Sequence, residues 1–271
     1  MDYDRDYFNG KTAVVTGGAS GIGLALIEEL LESKAAKVVM ADINQDNLNE
    51  HGKRLKEQYG DRVKGIVCDV TIEENVRKMI GEAAEFFGGR IDLLFNNAGA
   101  AFAGAFGEMT DADWKIAFDL NFFSALYGMR AVLPVMVKQG GGQIINTISG
   151  IAFVPFPYQT RYSATKAALN GLTLSARAEY WDDNIKISSA TPGTTATAIW
   201  GDPKAAPEIA QTPRQSASRI LNGVAKNDRT IFGDDADAKY GYNPFEEEID
   251  RMLPIMARER RKGNIGFIPS L

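Results

Sequence analysis

Residues 11–31, KTAVVTGGASGIGLALIEELL, restrict what this chain can become more than any other stretch. Thr12–Thr16 is a short apolar, β-branched run, the composition of a buried strand. Gly17, Gly18, Ala19, Ser20, Gly21, Ile22 and Gly23 follow as a turn, and apolar residues return at Leu24, Ile27, Leu30 and Leu31 with helical spacing. A strand that runs through glycines straight into a helix aims the helix's unpaired N–H groups and the positive end of its dipole at one point. An anion such as a phosphate is favoured there. Gly17 suits the tight turn, Gly21 a close backbone approach to a pyrophosphate, and Gly23 close packing of helix on sheet. The spacing is G-x-x-x-G-x-G, not the G-x-G-x-x-G of the usual dinucleotide fingerprint. Taken alone, it also fits a tight βα turn that binds nothing.

The rest of the chain repeats the strand–helix alternation. Strands are predicted at Thr12–Thr16, Lys37–Asp42, 63–68, 91–95, 143–147, 185–190 and Thr230–Phe232. Helices are predicted after the glycine turn, at 44–59, from a capping box at Thr71–Glu74 to 87, from Thr110 to about 137 as one long helix bent near Pro134, at 158–181, near 213–226 and at about 245–262. This pattern predicts an α/β fold: one domain over residues 1–271, a doubly wound parallel sheet of about seven strands with helices on both faces. The segment 194–212, with Pro203 and Pro207 and weak periodicity, reads as a mobile flap over the substrate. The C-terminal helix carries Phe245, Ile249, Met252 and Leu253 at helical spacing, and its basic end, 258–262, reads as a solvated helix terminus.

Composition narrows the partners. The net charge of −5 argues against nucleic acid, whose phosphates need a basic surplus. The acidic N-terminus, MDYDRDYFNG, does not read as a signal peptide, and no apolar run is expected to reach the ~20 residues of a membrane span. A single cysteine, Cys68, excludes an internal disulfide and points to a reducing, cytoplasmic setting. With one histidine, His51, in a polar helical stretch, neither a histidine triad nor a Cys/His metal site is expected.

In doubly wound sheets ligands bind beyond the carboxyl ends of the strands. Those ends carry the glycine turn, Asp42, Asp69, Asn96 to Gly99, Ser149 and Pro192-Gly193. Asp42 lies nineteen residues beyond Gly23, where a carboxylate meets the adenosine ribose hydroxyls. It would repel a 2′-phosphate, and no arginine follows closely, so NAD is favoured over NADP; a surface aspartate capping the next helix is the other reading. Tyr162 and Lys166 are four apart, on one face of a helix. A nearby ammonium, together with a nicotinium ring, is expected to lower the tyrosine's pKa from its usual ~10 and let it exchange a proton with an alcohol or carbonyl. Ser149 could bond the same oxygen.

These residues together resemble the short-chain dehydrogenase/reductase family over nearly the whole chain, roughly residues 8–232. The likeness rests on Thr16-Gly17-x-x-x-Gly21-x-Gly23, Asp42, Asp69-Val70, Asn96-Asn97-Ala98-Gly99, Asn121, Ser149, Tyr162-x-x-x-Lys166 and Pro192-Gly193 with Thr197. The resemblance implies Tyr162 as general acid/base, Lys166 tuning it and holding the nicotinamide ribose, Ser149 orienting the substrate oxygen, and Asn121 holding a water in a relay from Lys166. It implies Asp69 and Val70 beside the adenine, Asn97, Ala98 and Gly99 along the adenosine, and Pro192, Gly193, Thr195 and Thr197 at the nicotinamide carboxamide. Ala19, Ser20, Ile22 and Ile43 complete the expected cofactor wall. Thr195 departs from the family, which more often has an apolar residue there. The four-residue step from Tyr162 to Lys166 argues against the enoyl-reductase branch, where it is longer.

The implied function is NAD-dependent interconversion of a secondary alcohol and a ketone. An apolar substrate pocket is expected from Ala101, Phe102, Ile151, Phe153, Phe156, Gln159, Ile199 and Trp200, with core packing the other reading for the aromatics. Arg161, adjacent to Tyr162, is expected to face solvent or a partner. A cofactor-binding sensor or structural subunit, and an epimerase or dehydratase using NAD transiently, are the rival functions. A homodimer or homotetramer is implied by the resemblance.

Overall fold

A computed structural model describes residues 3–243, 247–264 and 267. Seven parallel strands, β1 (Thr12–Thr16), β2 (Lys37–Asp42), β3 (Val63–Val67), β4 (Leu93–Asn96), β5 (Gly142–Thr147), β6 (Ile185–Thr191) and β7 (Thr230–Phe232), lie in the order β3-β2-β1-β4-β5-β6-β7. The chain builds outward from β1 in one direction, returns, and builds outward from β4 in the other. The reversal between β1 and β4 leaves a crevice at their carboxyl ends.

All five residues of β1 are buried, because both faces of the sheet are covered. Alternation along the strands sorts the core into two layers. Ala13, Val15, Val38 and Met40 face helices α1 (Gly21–Glu32), α2 (Gln45–Tyr59) and α7 (Pro213–Lys226), which contribute Leu26, Ile27, Leu30, Leu48, Leu55, Ile220 and Leu221. Val14, Val39 and Ala41 face α3 (Glu73–Phe87), α5 (Ser124–Lys138) and α6 (Thr160–Glu179) through Val76, Met79, Ile80, Met129, Val132 and Ala176.

Three local expectations are corrected, and two features are added to them. The capping box at Thr71 does not form: the Thr71 N–H and hydroxyl both turn back to Asp69 Oδ1 (2.9 and 2.7 Å), and Ile72 becomes the N-cap of α3. The long helix after Thr110 is α4 (Asp111–Phe118), a π-helical turn over Asp119–Phe123, and α5; Pro134 stays inside α5. Residues 111–138 are nevertheless long and apolar enough to cross a membrane by length and composition (28 residues, with an 18-residue window of mean hydropathy 1.4). The expectation of no such stretch fails because the apolar face of α5 is core, with Met129, Val132 and Met136 packed on the sheet. The segment 194–212 is tied at its base by a bridge between Thr195 and Gln211 and by the Trp200 Nε1–H donating to the Thr195 carbonyl (2.9 Å). A short helix α8 (Asp235–Tyr242) was not anticipated; its acidic, glycine-containing sequence hides it, and Asp234 as N-cap is its one clear start signal.

The C-terminal helix α9 (Glu247–Arg261) lays Met252 and Met256 on Val154, Phe153 and Phe156. The expected start at Phe245 lies outside the described residues. Within its basic end Arg258, Arg261 and Lys262 are exposed, but Arg260 is buried. It lies 5.5 Å over the Phe156 ring and donates to the Pro157 carbonyl (3.1 Å), so it is a packing residue rather than a solvated one.

A buried polar chain crosses the β4–β5 boundary beneath the crevice. Asn96 Nδ2 donates to Asn146 Oδ1 (2.8 Å), and Asn146 Nδ2 to Thr173 Oγ1 (2.9 Å). Removing its middle member leaves a buried amide without a partner as well as a small void. Asn146→Ala should therefore lower unfolding stability by about 2–4 kcal/mol in urea titrations; a midpoint indistinguishable from the parent would show that the chain carries no stability.

Candidate active site

The crevice between β1 and β4 is held open by a side chain on each wall. Thr16 Oγ1 accepts the N–H groups of Asn97 (3.0 Å) and Ala98 (3.1 Å), and Asn97 Nδ2 donates to the Thr16 carbonyl (3.1 Å). Gly17 then turns with φ of 62°, and a Cβ there would lie 3.0 Å from the Ala98 Cα. At Gly23 a Cβ would lie 2.0 Å from the Gly17 carbonyl oxygen, which enforces the close helix packing expected of it. Ser20 is the N-cap of α1 but makes no side-chain cap bond, so the first N–H groups of that helix point toward the crevice without a hydroxyl across them. Gly21 has φ of 49°, and a Cβ on it would approach Thr197 from across the cleft (3.3 Å).

The crevice is a cavity of about 710 Å³. Its adenosine-side wall brings together Gly17, Ser20, Gly21, Ile22, Asp42, Ile43, Asp69, Val70, Asn97, Ala98 and Gly99, as the sequence led us to expect. Its far wall adds Ala101, Tyr162, Lys166, Pro192, Thr197 and Ile199. Such a cleft fits a dinucleotide: glycines where backbone must approach, a helix N-terminus midway and a carboxylate at one end. The Asp42 carboxylate is oriented by two N–H groups, from Ala19 on Oδ2 and Asn44 on Oδ1 (3.0 Å each).

Four residues expected to touch a cofactor do not line the cavity: Gly23, which serves the helix packing, and Ala19, Gly193 and Thr195. Ala19 is fully buried in the core and serves through its N–H on Asp42. Gly193 is turned against Asp234, 2.5 Å from where its Cβ would stand. Thr195 is buried, its hydroxyl donating to the Pro192 (3.3 Å) and Gly193 (3.2 Å) carbonyls, so its departure from the family pattern buys a local brace for this turn. Cys68, Thr71, Leu120, Thr147, Ile148 and Ala198 line the cavity without having been anticipated, since such side chains carry no chemical signature at these positions.

At the far end the expected polar group assembles. The Tyr162 hydroxyl faces Ser149, close enough for the serine to favour its ionised form. Lys166 Nζ lies 5.9 Å from the Tyr162 ring centroid and donates to the Thr147 carbonyl (2.8 Å). The π-helical turn delivers Asn121, whose Nδ2 donates to the Ala100 carbonyl (3.0 Å) and Thr165 Oγ1 (3.3 Å) while Oδ1 accepts the Ala100 N–H (3.0 Å). Both amide hydrogens are therefore spent, and one Oδ1 lone pair remains. Asn121 Oδ1 and Lys166 Nζ converge on Gly99, 2.9 and 3.3 Å from where a Cβ would stand.

Burial dominates the ionisation of this group. It pulls Lys166 down to about 8. It pushes Tyr162 up to about 12, with Ser149 opposing and the charge of Asp237 adding. The lowering expected from the ammonium is thus reversed in the protein by itself. Asp237, on α8, was missed by sequence reasoning, because nothing near it matched a motif.

The expected substrate pocket is only partly realised. Ala101 and Ile199 line the cavity, whereas Phe153 and Phe156 pack under α9 with Met252 and Met256. Ile151 is buried, Gln159 is the N-cap of α6, and Trp200 braces Thr195. Phe102 stacks under Arg161, whose guanidinium lies 5.2 Å from its ring and pairs with Asp113 (2.8 Å). Arg161 is 13% exposed and does not face solvent, one of the two settings expected of it.

Fold and site together define a Rossmann-type, nucleotide-binding oxidoreductase. The model of the short chain dehydrogenase family matches residues 11–207, and the chain belongs to that short-chain dehydrogenase/reductase family. It is 36% identical over 192 residues to an uncharacterized oxidoreductase of Staphylococcus saprophyticus, covering 71% of this chain and 81% of that one. It is 38% identical over 189 residues to an uncharacterized oxidoreductase of Staphylococcus aureus, covering 70% and 80%. L-sorbose reductase of Gluconobacter frateurii, solved with NADPH and L-sorbose, matches with a TM-score of 0.75 at 30% identity, over 83% of this chain and 95% of that one. A short-chain dehydrogenase/reductase of Burkholderia phymatum, solved with NAD, shares the fold with a TM-score of 0.80 at 24% identity, over 98% and 99%.

The Cys68 thiol borders the cavity, yet burial and the charge of Asp69 push it up to about 11. An aromatic disulfide reagent near pH 7 should label native protein far more slowly than urea-unfolded protein. Equal rates would contradict this placement.

Proposed function

We propose that the protein is an NAD(H)-dependent oxidoreductase interconverting a secondary alcohol and its ketone, with an apolar substrate. The observation that carries this reading is the buried Tyr162 hydroxyl, beside Ser149 and one helical turn from Lys166, at the opposite end of one cavity from Asp42. When bound, the nicotinamide supplies the hydride acceptor or donor and, in its oxidised form, a positive charge. The protein's own residues manage the proton. In ketone reduction Tyr162 gives its proton to the carbonyl oxygen, and in alcohol oxidation the phenolate takes it back. A value raised to about 12 keeps the phenol protonated at neutral pH and suits the donor role. Lys166 is charged below about 8, where its ammonium stabilises the phenolate left behind. Reduction should accordingly decline as the pH rises through that value. Ser149 shares the substrate oxygen with Tyr162, and Asn121 offers its remaining lone pair to a water that refills the proton.

The apolar substrate reading is supported by Ala101, Ile148, Ala198 and Ile199 on the cavity wall, where Lys166 is the one cation among the described residues. L-sorbose, in the Gluconobacter enzyme, is a polyhydroxylated ketone; this wall offers less to such a substrate. NAD rather than NADP is supported by Asp42, whose carboxylate is fixed by Ala19 and Asn44 where a 2′-phosphate would be repelled. A homodimer or homotetramer belongs to the same proposal.

Tyr162→Phe should cut NAD-linked turnover of the best apolar alcohol by about 10²- to 10⁴-fold while leaving NADH affinity unchanged. Retained turnover would sink the mechanism. For the cofactor, calorimetric titration should show NADH bound at least about tenfold more tightly than NADPH, about 1.4 kcal/mol, with Asp42→Ala erasing most of the difference. NADPH bound the more tightly by the parent would reverse the assignment.

A further inference from the structure

Helix α8 lies beyond the residues matched by the family model, yet it reaches the active site. Asp234 caps it: Oδ1 accepts the Asp237 N–H (2.7 Å), and Oδ2 accepts the Thr194 N–H (2.8 Å). Three residues on, Asp237 turns inward. Its carboxylate closes on the turn after β5, at Gly150. A Cβ on Gly150 would lie 1.9 Å from Asp237 Oδ1, so glycine is required there by the carboxylate's approach. Two side chains of one helix thereby hold two turns that no strand pairing joins: Asp237 meets the turn after β5, which carries Ser149, and Asp234 holds the turn after β6, which opens the 194–212 segment.

The charged and titratable groups facing Asp237 come from two sides. Asp234 stands at the start of its own helix, and Tyr162 of α6 is close enough to sense its charge. Lys166, one turn along α6, is held by the Thr147 carbonyl, and Asp235 pairs away from the site with Arg219 of α7 (3.4 Å). Burial and then the charge of Asp234 push the Asp237 carboxyl up to about 7. Its folded-state value is raised, so the native state holds this proton more tightly. The stability it contributes is present below the ordinary carboxylate value near ~4 and is lost as the pH rises toward about 7. A carboxylate kept where its charge weakens the fold marks a group retained for the site.

We propose that Asp237 is a positioning residue of the active site: with Asp234 on the same helix it locks the Ser149 and Gly193 turns together, and it sets a negative charge against the Tyr162 phenol. The proposal rests on the reading of Tyr162 as the acid/base. In this arrangement α8 supplies a part of the catalytic geometry that the motif-bearing half of the chain lacks.

Two readouts test it. The first needs no substrate: amide hydrogen exchange of the ligand-free protein, comparing the parent with Asp237→Asn and with Gly150→Ala, whose Cβ displaces the same carboxylate from the other side. Each variant should speed exchange in 147–153 and 191–196 together, by about tenfold, while the strands stay protected. Having two variants keeps the test decisive if one does not fold. Loosening of one turn alone would overturn the lock. The second readout is the pH profile of alcohol oxidation. Removing the negative charge in Asp237→Asn should move the rise in kcat/KM to lower pH by about one unit, and Asp237→Glu should restore it. An unmoved profile in an active variant would overturn the electrostatic part. If the parent shows no nicotinamide-linked turnover at all, the functional reading fails, and the exchange comparison still decides the lock.

Discussion

The reversal of chain direction between β1 and β4 is the constraint on which the rest of this protein depends. Where two parallel strands belong to crossovers running opposite ways, no helix can fill the gap at their carboxyl ends. Thr16 and Asn97 finish that gap by tying one wall to the other with three hydrogen bonds, so that glycines on both sides can stay close without collapsing. Every group with a chemical task is reached from this crevice. Asp42 leaves β2, Ser149 follows β5, and the Pro192 turn follows β6, all along the same sheet edge.

Much of this was legible in the residues because it is local. The period-two and period-3.6 patterns, and the glycines whose positions demand a turn or close packing, set the strand order's raw material and the cofactor edge. Asp42, Tyr162 and Lys166 were readable because their spacing alone places them. What was hidden depends on tertiary contacts. Nothing in the sequence of residues 119–123 announces a π-helical turn; it becomes evident only when the Asn121 amide is seen paired with the main chain of Ala100. Thr71 resembled a cap, but Asp69 competes for its N–H and hydroxyl. Phe153 and Phe156 looked like pocket wall because α9, which covers them, is far away in sequence. Asp237 was invisible for the same reason, its partners lying forty and more residues earlier.

The site also shows how a fold carries groups that work against it. Lys166 and Tyr162 sit where burial disfavours the charged form of each, and Asp237 adds a like charge to a crowded place. Groups held in disfavoured protonation states are the ones able to move protons near neutrality. The buried Asn96–Asn146–Thr173 chain and the Asn121 contacts supply the rigidity that keeps these charges from relaxing away from one another.

The central claim is that one dinucleotide spans the crevice with its adenosine at Asp42 and its nicotinamide at Tyr162. A crystal structure of the protein with NADH bears on it most directly. The account expects ribose hydroxyls on the Asp42 carboxylate, the pyrophosphate at the N-terminus of α1 beside Gly21, and the nicotinamide between Tyr162 and the Pro192 turn. A dinucleotide bound in the reverse direction, or away from the carboxyl ends of β1 and β4, would contradict it.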